Sequence, residues 1–155
     1  MTEIKRIVQQ MQAAFNSKAW HGPSVQEALA NVNAAQAAAK PIANAHSIWE
    51  IVLHISAWQK IAMKRLAGEG GNNVTEEEDW PRVSDTSQTA WQSALRALKQ
   101  SHRDLCGATM RLQDEDLNKM VRSSDTDHSV YVLLHGVIQH DLYHAGQIVL
   151  LRKAL

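Results

Sequence analysis

From end to end, apolar residues in this chain recur three and four positions apart, and that rhythm belongs to helices with one buried face. The alternation of β-branched residues that marks strands is missing. A first long helix is predicted from about Thr2 to Ala19, with Ile4, Ile7, Met11, Ala14 and Phe15 on one stripe. His21-Gly22-Pro23 ends it, because glycine and proline do not comfortably continue a helix. Ser24 is placed to cap a short helix reaching about Asn31, and Ala34–Lys40 adds a turn or two before Pro41. A second long helix is predicted from near Ala45 to near Gly68, through Ile48, Ile51, Val52, Ile55, Trp58, Ile61 and Ala62. A polar loop from Gly68 to Ser84 closes on Asp79-Trp80-Pro81 and is long enough to read as a functional rim. The third long helix spans about Thr86 to Leu112, carrying Trp91, Leu95, Leu98 and Leu105. After a short turn at Leu117 and Met120, the fourth runs from near Asp127 to the C-terminus.

Four long amphipathic helices imply an all-α four-helix bundle with extra short helices between helices one and two, occupying residues 1–155 as one domain. The long connections argue for at least one crossover or an embellished end rather than simple up-down-up-down winding. Sixteen basic and sixteen acidic residues cancel, which removes the basic surplus a nucleic-acid or anionic-membrane binder needs. No apolar run is long enough to span a membrane, and the first residues lead into an amphipathic segment without a secretory core. A cytoplasmic setting is the default expectation. The lone cysteine, Cys106, excludes an internal disulfide and any cysteine-based zinc site.

Histidine is the compositional oddity, with eight in the chain. His140 and His144 are four apart on the apolar stripe of the fourth helix, with Val137, Ile148 and Leu151. His54 lies between Ile51, Ile55 and Trp58 on the stripe of the second helix. A buried imidazole needs a partner for each ring nitrogen. Three of them near one another meet that need by binding one metal ion, and three histidines with an open fourth position are the pattern of catalytic zinc. Nickel or iron would also accept such ligands. The competing reading makes each a hydrogen-bonded core residue. His102 follows the stripe of the third helix, either as a core residue or as a fourth ligand. His46, eight before His54, reads as a helix-start or surface residue, with the pocket mouth as the alternative. His140-Asp141-x-x-His144 resembles the H-E-x-x-H of zinc proteases, but the aspartate is a methylene shorter than glutamate and no strand is available to present substrate. Asp141 is expected toward solvent or a neighbouring helix.

The segments His46-Ser-Ile-Trp-Glu-Ile-Val-Leu-His54-Ile-Ser-Ala-Trp58 and Gly136-Val-Ile-Gln-His140-Asp-Leu-Tyr-His144-Ala-Gly-Gln147-Ile resemble the two signature stretches of the DinB/YfiT-like metalloenzyme family. This is the damage-inducible DinB family, not the DNA polymerase of that name, and the resemblance covers essentially the whole chain. It implies a four-helix bundle holding a divalent metal, zinc or nickel, at positions that correspond to His54, His140 and His144. Many members carry arginine where this chain has Ala145, a positive charge suited to an anionic ligand. Characterised relatives include a mycothiol-dependent maleylpyruvate isomerase and bacillithiol S-transferases. The resemblance therefore implies a low-molecular-weight thiol as co-substrate, ionised by the metal to attack an electrophilic small molecule. Metal-bound water would support hydrolysis instead, and a non-catalytic metal- or ligand-binding bundle is the third reading. Relatives pair as dimers through bundle helices, and the apolar helix surface here is compatible with a homodimer.

Around these ligands, Glu50 precedes His54 by four and is a candidate to orient an imidazole or accept a proton, with a surface or inter-helix salt bridge as its alternative. Gln147, three after His144, is a candidate to hydrogen-bond a ligand, with a plain inter-helix contact as its alternative. Trp49, Trp58 and Tyr143 are candidates for the pocket wall, although the two tryptophans read first as core residues and Tyr143 first as a packing residue.

Overall fold

The computed structural model describes residues 1–69, 73–123 and 126–155. Its frame is all-α. Four long helices, α1 (Glu3–Phe15), α4 (Ile48–Leu66), α6 (Gln88–Met110) and α7 (Val130–Lys153), form the bundle. The connection between α1 and α4 carries α2 (Val25–Ala28) and α3 (Ala34–Ala38), and α5 (Glu76–Asp79) interrupts the loop before α6. A 3₁₀ turn at Asp114–Asn118 precedes two short antiparallel strands, β1 (Met120–Val121) and β2 (His128–Ser129), which the sequence pattern does not announce. No helix among the described residues is long and apolar enough to cross a membrane.

Helix starts follow from capping chemistry. Thr2, Ser47, Ser87 and Ser129 each accept from a backbone N–H of the first turn, which moves the starts of α4, α6 and α7 a few residues downstream of Ala45, Thr86 and Asp127. At α4, Ser47 and Glu50 satisfy each other's backbone N–H in a capping box. Asn44 sits just before it at φ 62°, a left-handed conformation that ends any earlier helix. The first helix stops at Phe15, four residues short of Ala19: Asn16, Ser17 and Lys18 offer no apolar face, and Lys18 turns to φ 64°.

The winding order places the site. α1 packs against α6 and α7, and α4 also packs against α6 and α7, so sequential neighbours α1 and α4 sit across the diagonal. Trp49 meets Trp91, and Ser56 meets Ser101, so α4 and α6 run parallel. The segment between them must therefore travel the length of the bundle, and it passes over the α4–α7 seam on the way. Two apolar clusters fill the interior, one around Trp49, Trp91 and Phe15 and one around Ile7, Leu105 and Leu134. Between them the buried side chains turn polar, with Ser56, Gln59, Ser101, His102, Asp141, His54 and His144.

Asp114 ties the start of α1 to the 3₁₀ turn after α6. Its carboxylate accepts from the backbone N–H groups of Glu3 and Ile4, each at 3.0 Å, filling orphan donors at the start of α1. Those bonds hold its carboxyl below the ordinary value of 3.8. A lowered folded value means that the stabilisation is complete above the unfolded value and is lost as pH falls through the folded one. Asp114→Asn is thus expected to lower the urea midpoint at pH 7, with the gap to wild type closing as both are titrated below about pH 4.

Candidate metal centre

The three histidines singled out by helical spacing come together. The ring nitrogens of His54, His140 and His144 lie within 4.8 Å of one another, with the Nε2 of His140 2.9 Å from that of His54 and 3.1 Å from that of His144. Each outer ring is fixed from behind. Nδ1 of His54 donates to the backbone carbonyl of Asp79 at 2.7 Å, and Nδ1 of His144 donates to Oε1 of Gln147 at 2.6 Å. Both therefore present bare Nε2 lone pairs inward.

Burial drives all three imidazoles toward the neutral form. It takes His140 down to about 3, helped by the neighbouring His144 and His54, and His144 down to about 4, with His54 lowered too. Three neutral rings bring at most one N–H, on His140, into a space faced by three Nε2 atoms, whereas one metal ion satisfies every lone pair. Nitrogens held about 2.0–2.1 Å from a tetrahedral zinc sit roughly 3.4 Å apart, close to the contacts seen here. The residues fit the ion, and they could hold it without rearranging the helices.

The loop supplies what the helices cannot. Thr75 and Glu78 cap α5 reciprocally, and Asp79 is its last residue, so its carbonyl has no helical partner and is free for His54. The Asp79 carboxylate accepts from Nε1 of Trp58 at 2.6 Å. Trp80 then lies flat on His54, ring centres 3.8 Å apart, and stacks against His46 at 3.5 Å. The Asp79-Trp80 rim was legible as a loop feature, but the roles of its two residues were not, because they depend on how the loop crosses the bundle.

A cavity of about 550 Å³ opens beside the triad between α4 and α7. Trp58, Ala62, Leu133 and Val137 make it largely apolar, Tyr143 stands at its edge, and Arg65 lies within it. Trp58 and Tyr143 are thus at the cavity, as the sequence suggests. Trp49 is not: it packs on Trp91 in the core. Nor does the structure bring Glu50 to the triad, since its carboxylate is held by Ser47 N–H and Lys40, with His46 3.5 Å away. Among the described residues, Asp79 is the one carboxylate lining the cavity.

His102 is a core residue rather than a fourth ligand, stacked 3.9 Å from Phe15 and 3.5 Å from the Cys106 sulfur. His46 caps the rim by stacking on Trp80. Asp141, expected toward solvent or a helix partner, is 1% exposed, and burial pushes its carboxyl up to about 8. Ala145 is buried in the core, so its small size serves packing and its side chain does not face the cavity.

Gln147 offers the sharpest test of ring orientation. Gln147→Met keeps its bulk and deletes the acceptor for His144, and zinc affinity is expected to fall about 10- to 100-fold in a competition titration, with helical circular dichroism unchanged.

Comparison with curated proteins and with solved structures gives no match. The model of the DinB superfamily matches residues 19–148, a stretch that contains all three histidines and the loop over them, and the chain belongs to that superfamily.

Proposed function

We propose that this protein is a divalent-metal-dependent enzyme acting on small molecules, and that it transfers a low-molecular-weight thiol to an electrophile. The observation that carries this reading is the convergence of three Nε2 atoms beside a largely apolar cavity, with two of the rings fixed from behind. A divalent ion held there supplies Lewis acidity, which favours the deprotonated form of a thiol or water near neutral pH.

The protein's own part is orientation and exclusion of water. Asp79 and Gln147 hold His54 and His144 in the tautomer that exposes Nε2. Trp80 covers the face of His54, and Trp58, Leu133 and Val137 keep the reacting end of the cavity apolar, where a charged sulfur is poorly solvated and more nucleophilic. A volume of about 550 Å³ suits a drug-sized ligand, or two smaller ones side by side. Asp79, rather than Glu50, is the carboxylate beside the triad that can accept a proton.

The test is to supply zinc-loaded protein with a thiol and chlorodinitrobenzene and to follow conjugate formation. Conjugation that requires both metal and thiol, and that drops to background in His140→Ala, is the expected result. Ester hydrolysis that proceeds without thiol would replace the transferase reading with a hydrolase, and inactivity in both assays would leave a metal-binding bundle.

A further inference from the structure

Arg65 is the one arginine or lysine that lines the cavity among the described residues. It is 8% exposed, yet its guanidinium has no hydrogen bond and no carboxylate partner among the described residues. A guanidinium stays charged at neutral pH even when burial lowers its affinity for the proton. Unlike Nε2 of Gln59, the Arg65 nitrogens are not sealed from solvent, so a largely covered side chain leaves its charged end open to the cavity. Beside it stands Trp58, two helical turns back along α4, with the guanidinium carbon 5.4 Å from the centre of the indole.

That placement puts Trp58 between two chemistries. On one side its ring centre is 5.4 Å from the guanidinium, and on the other it is 6.0 Å from the ring of His140. The wall around the indole is apolar, with Ala62, Leu133 and Val137. A ligand that fills the cavity therefore meets a fixed cation, then a hydrocarbon surface, then the three imidazole nitrogens. We infer that the cavity takes small molecules bearing a carboxylate, which Arg65 pairs with while an apolar body lies along Trp58 and the reacting group reaches the triad. The placement of the reacting group rests on the metal-dependent reading; the carboxylate subsite does not.

Carboxylate is favoured over phosphate by the donor set. The planar fork of one arginine matches a single carboxylate with two parallel hydrogen bonds. Neutralising a phosphate dianion calls for a second cation, and no lysine or further arginine lines the cavity among the described residues.

The test uses the full chain stripped of metal with a chelator, so that a carboxylate cannot bind through the ion. Phenylbutanoate, phenylbutanamide and phenylbutyl phosphate are titrated calorimetrically into wild type, Arg65→Met and Arg65→Lys. Phenylbutanoate is expected to bind wild type roughly 10- to 100-fold more tightly than the amide does, and to lose that margin in Arg65→Met. Arg65→Lys keeps the charge and loses the fork, so it is expected to fall between the two, and it serves as the variant should the methionine protein not fold. Equal binding of acid and amide by wild type, or wild-type affinity in either variant, overturns the subsite. Tighter binding of the phosphate than of the carboxylate overturns the carboxylate assignment. Zinc uptake is measured on the same preparations. Protein that binds phenylbutanoate through Arg65 but takes up no zinc would refute the metal-dependent reading alone, and the converse would refute the subsite alone.

Discussion

Zinc at a hundred times its dissociation constant is expected to raise the melting temperature of the wild-type chain by about 5–10 °C and to leave His140→Ala unmoved. The magnitude follows from mass action: binding to the folded state alone adds about 2.7 kcal/mol at that concentration, and each kcal/mol shifts a chain of this length by about 2–4 °C. His140 is the right histidine to remove. His54 is stacked under Trp80 and bonded to Asp79, and His144 is bonded to Gln147, so replacing either would break contacts unrelated to any ion. Among the described residues, the His140 ring hydrogen-bonds only with the Nε2 atoms of the other two histidines. In the metal-free protein its loss relieves three crowded nitrogens and costs little else. Metal content by mass spectrometry is expected to fall from about one equivalent to near zero, with helical circular dichroism intact. A variant that keeps its zinc, or a wild type whose melting point does not respond to it, would remove the metal centre.

Why these three residues could be found from sequence is a matter of periodicity. A spacing of four on one helix brings His140 and His144 to a shared face, and the apolar residues around them say that the face is inward. His54 is placed by the same logic on α4, and only the packing of α4 on α7 is then needed to join them. Glu50 shows the limit of that logic. It shares a helical face with His54, but it sits in the first turn of α4, where its carboxylate serves the Ser47 cap and Lys40. The same geometry put Trp49 and Trp58 among the candidates, and only the register of α4 against α6 and α7 separates them. Asp79, Trp80 and Arg65 depend on tertiary placement: a loop crossing the bundle, an orphan carbonyl, and a side chain set beside another two turns back along its helix.

The two tryptophans make a second large effect separable from the first. Trp91 is fully buried, lies 5.1 Å from Trp49, and donates from Nε1 to the backbone carbonyl of Val32 at 2.8 Å. With the bond from Ala34 N–H to Oε1 of Gln88 at 3.0 Å, it pins the connection carrying α2 and α3 to the start of α6. Trp91→Ala would open a large cavity in the core, at a cost of about 3–5 kcal/mol, and would strand a buried carbonyl at about 1–3 kcal/mol more. A fall in melting temperature of roughly 10–20 °C is expected, a large fraction of the stability of an ordinary domain. Trp58→Phe should behave differently. It keeps an aromatic wall but loses the bond to the Asp79 carboxylate and the larger face presented to Arg65, so its effect should fall on ligand binding at a melting temperature within a few degrees of wild type. Zinc uptake below the transition should survive in Trp91→Ala, because neither Trp91 nor Trp49 lines the cavity, and the ring contact and hydrogen bond of Trp91 go to Trp49 and Val32 rather than to the triad. If instead Trp91→Ala retained its melting temperature while losing zinc, the division of α4 into a face packed on α6 and a face lining the cavity would be wrong.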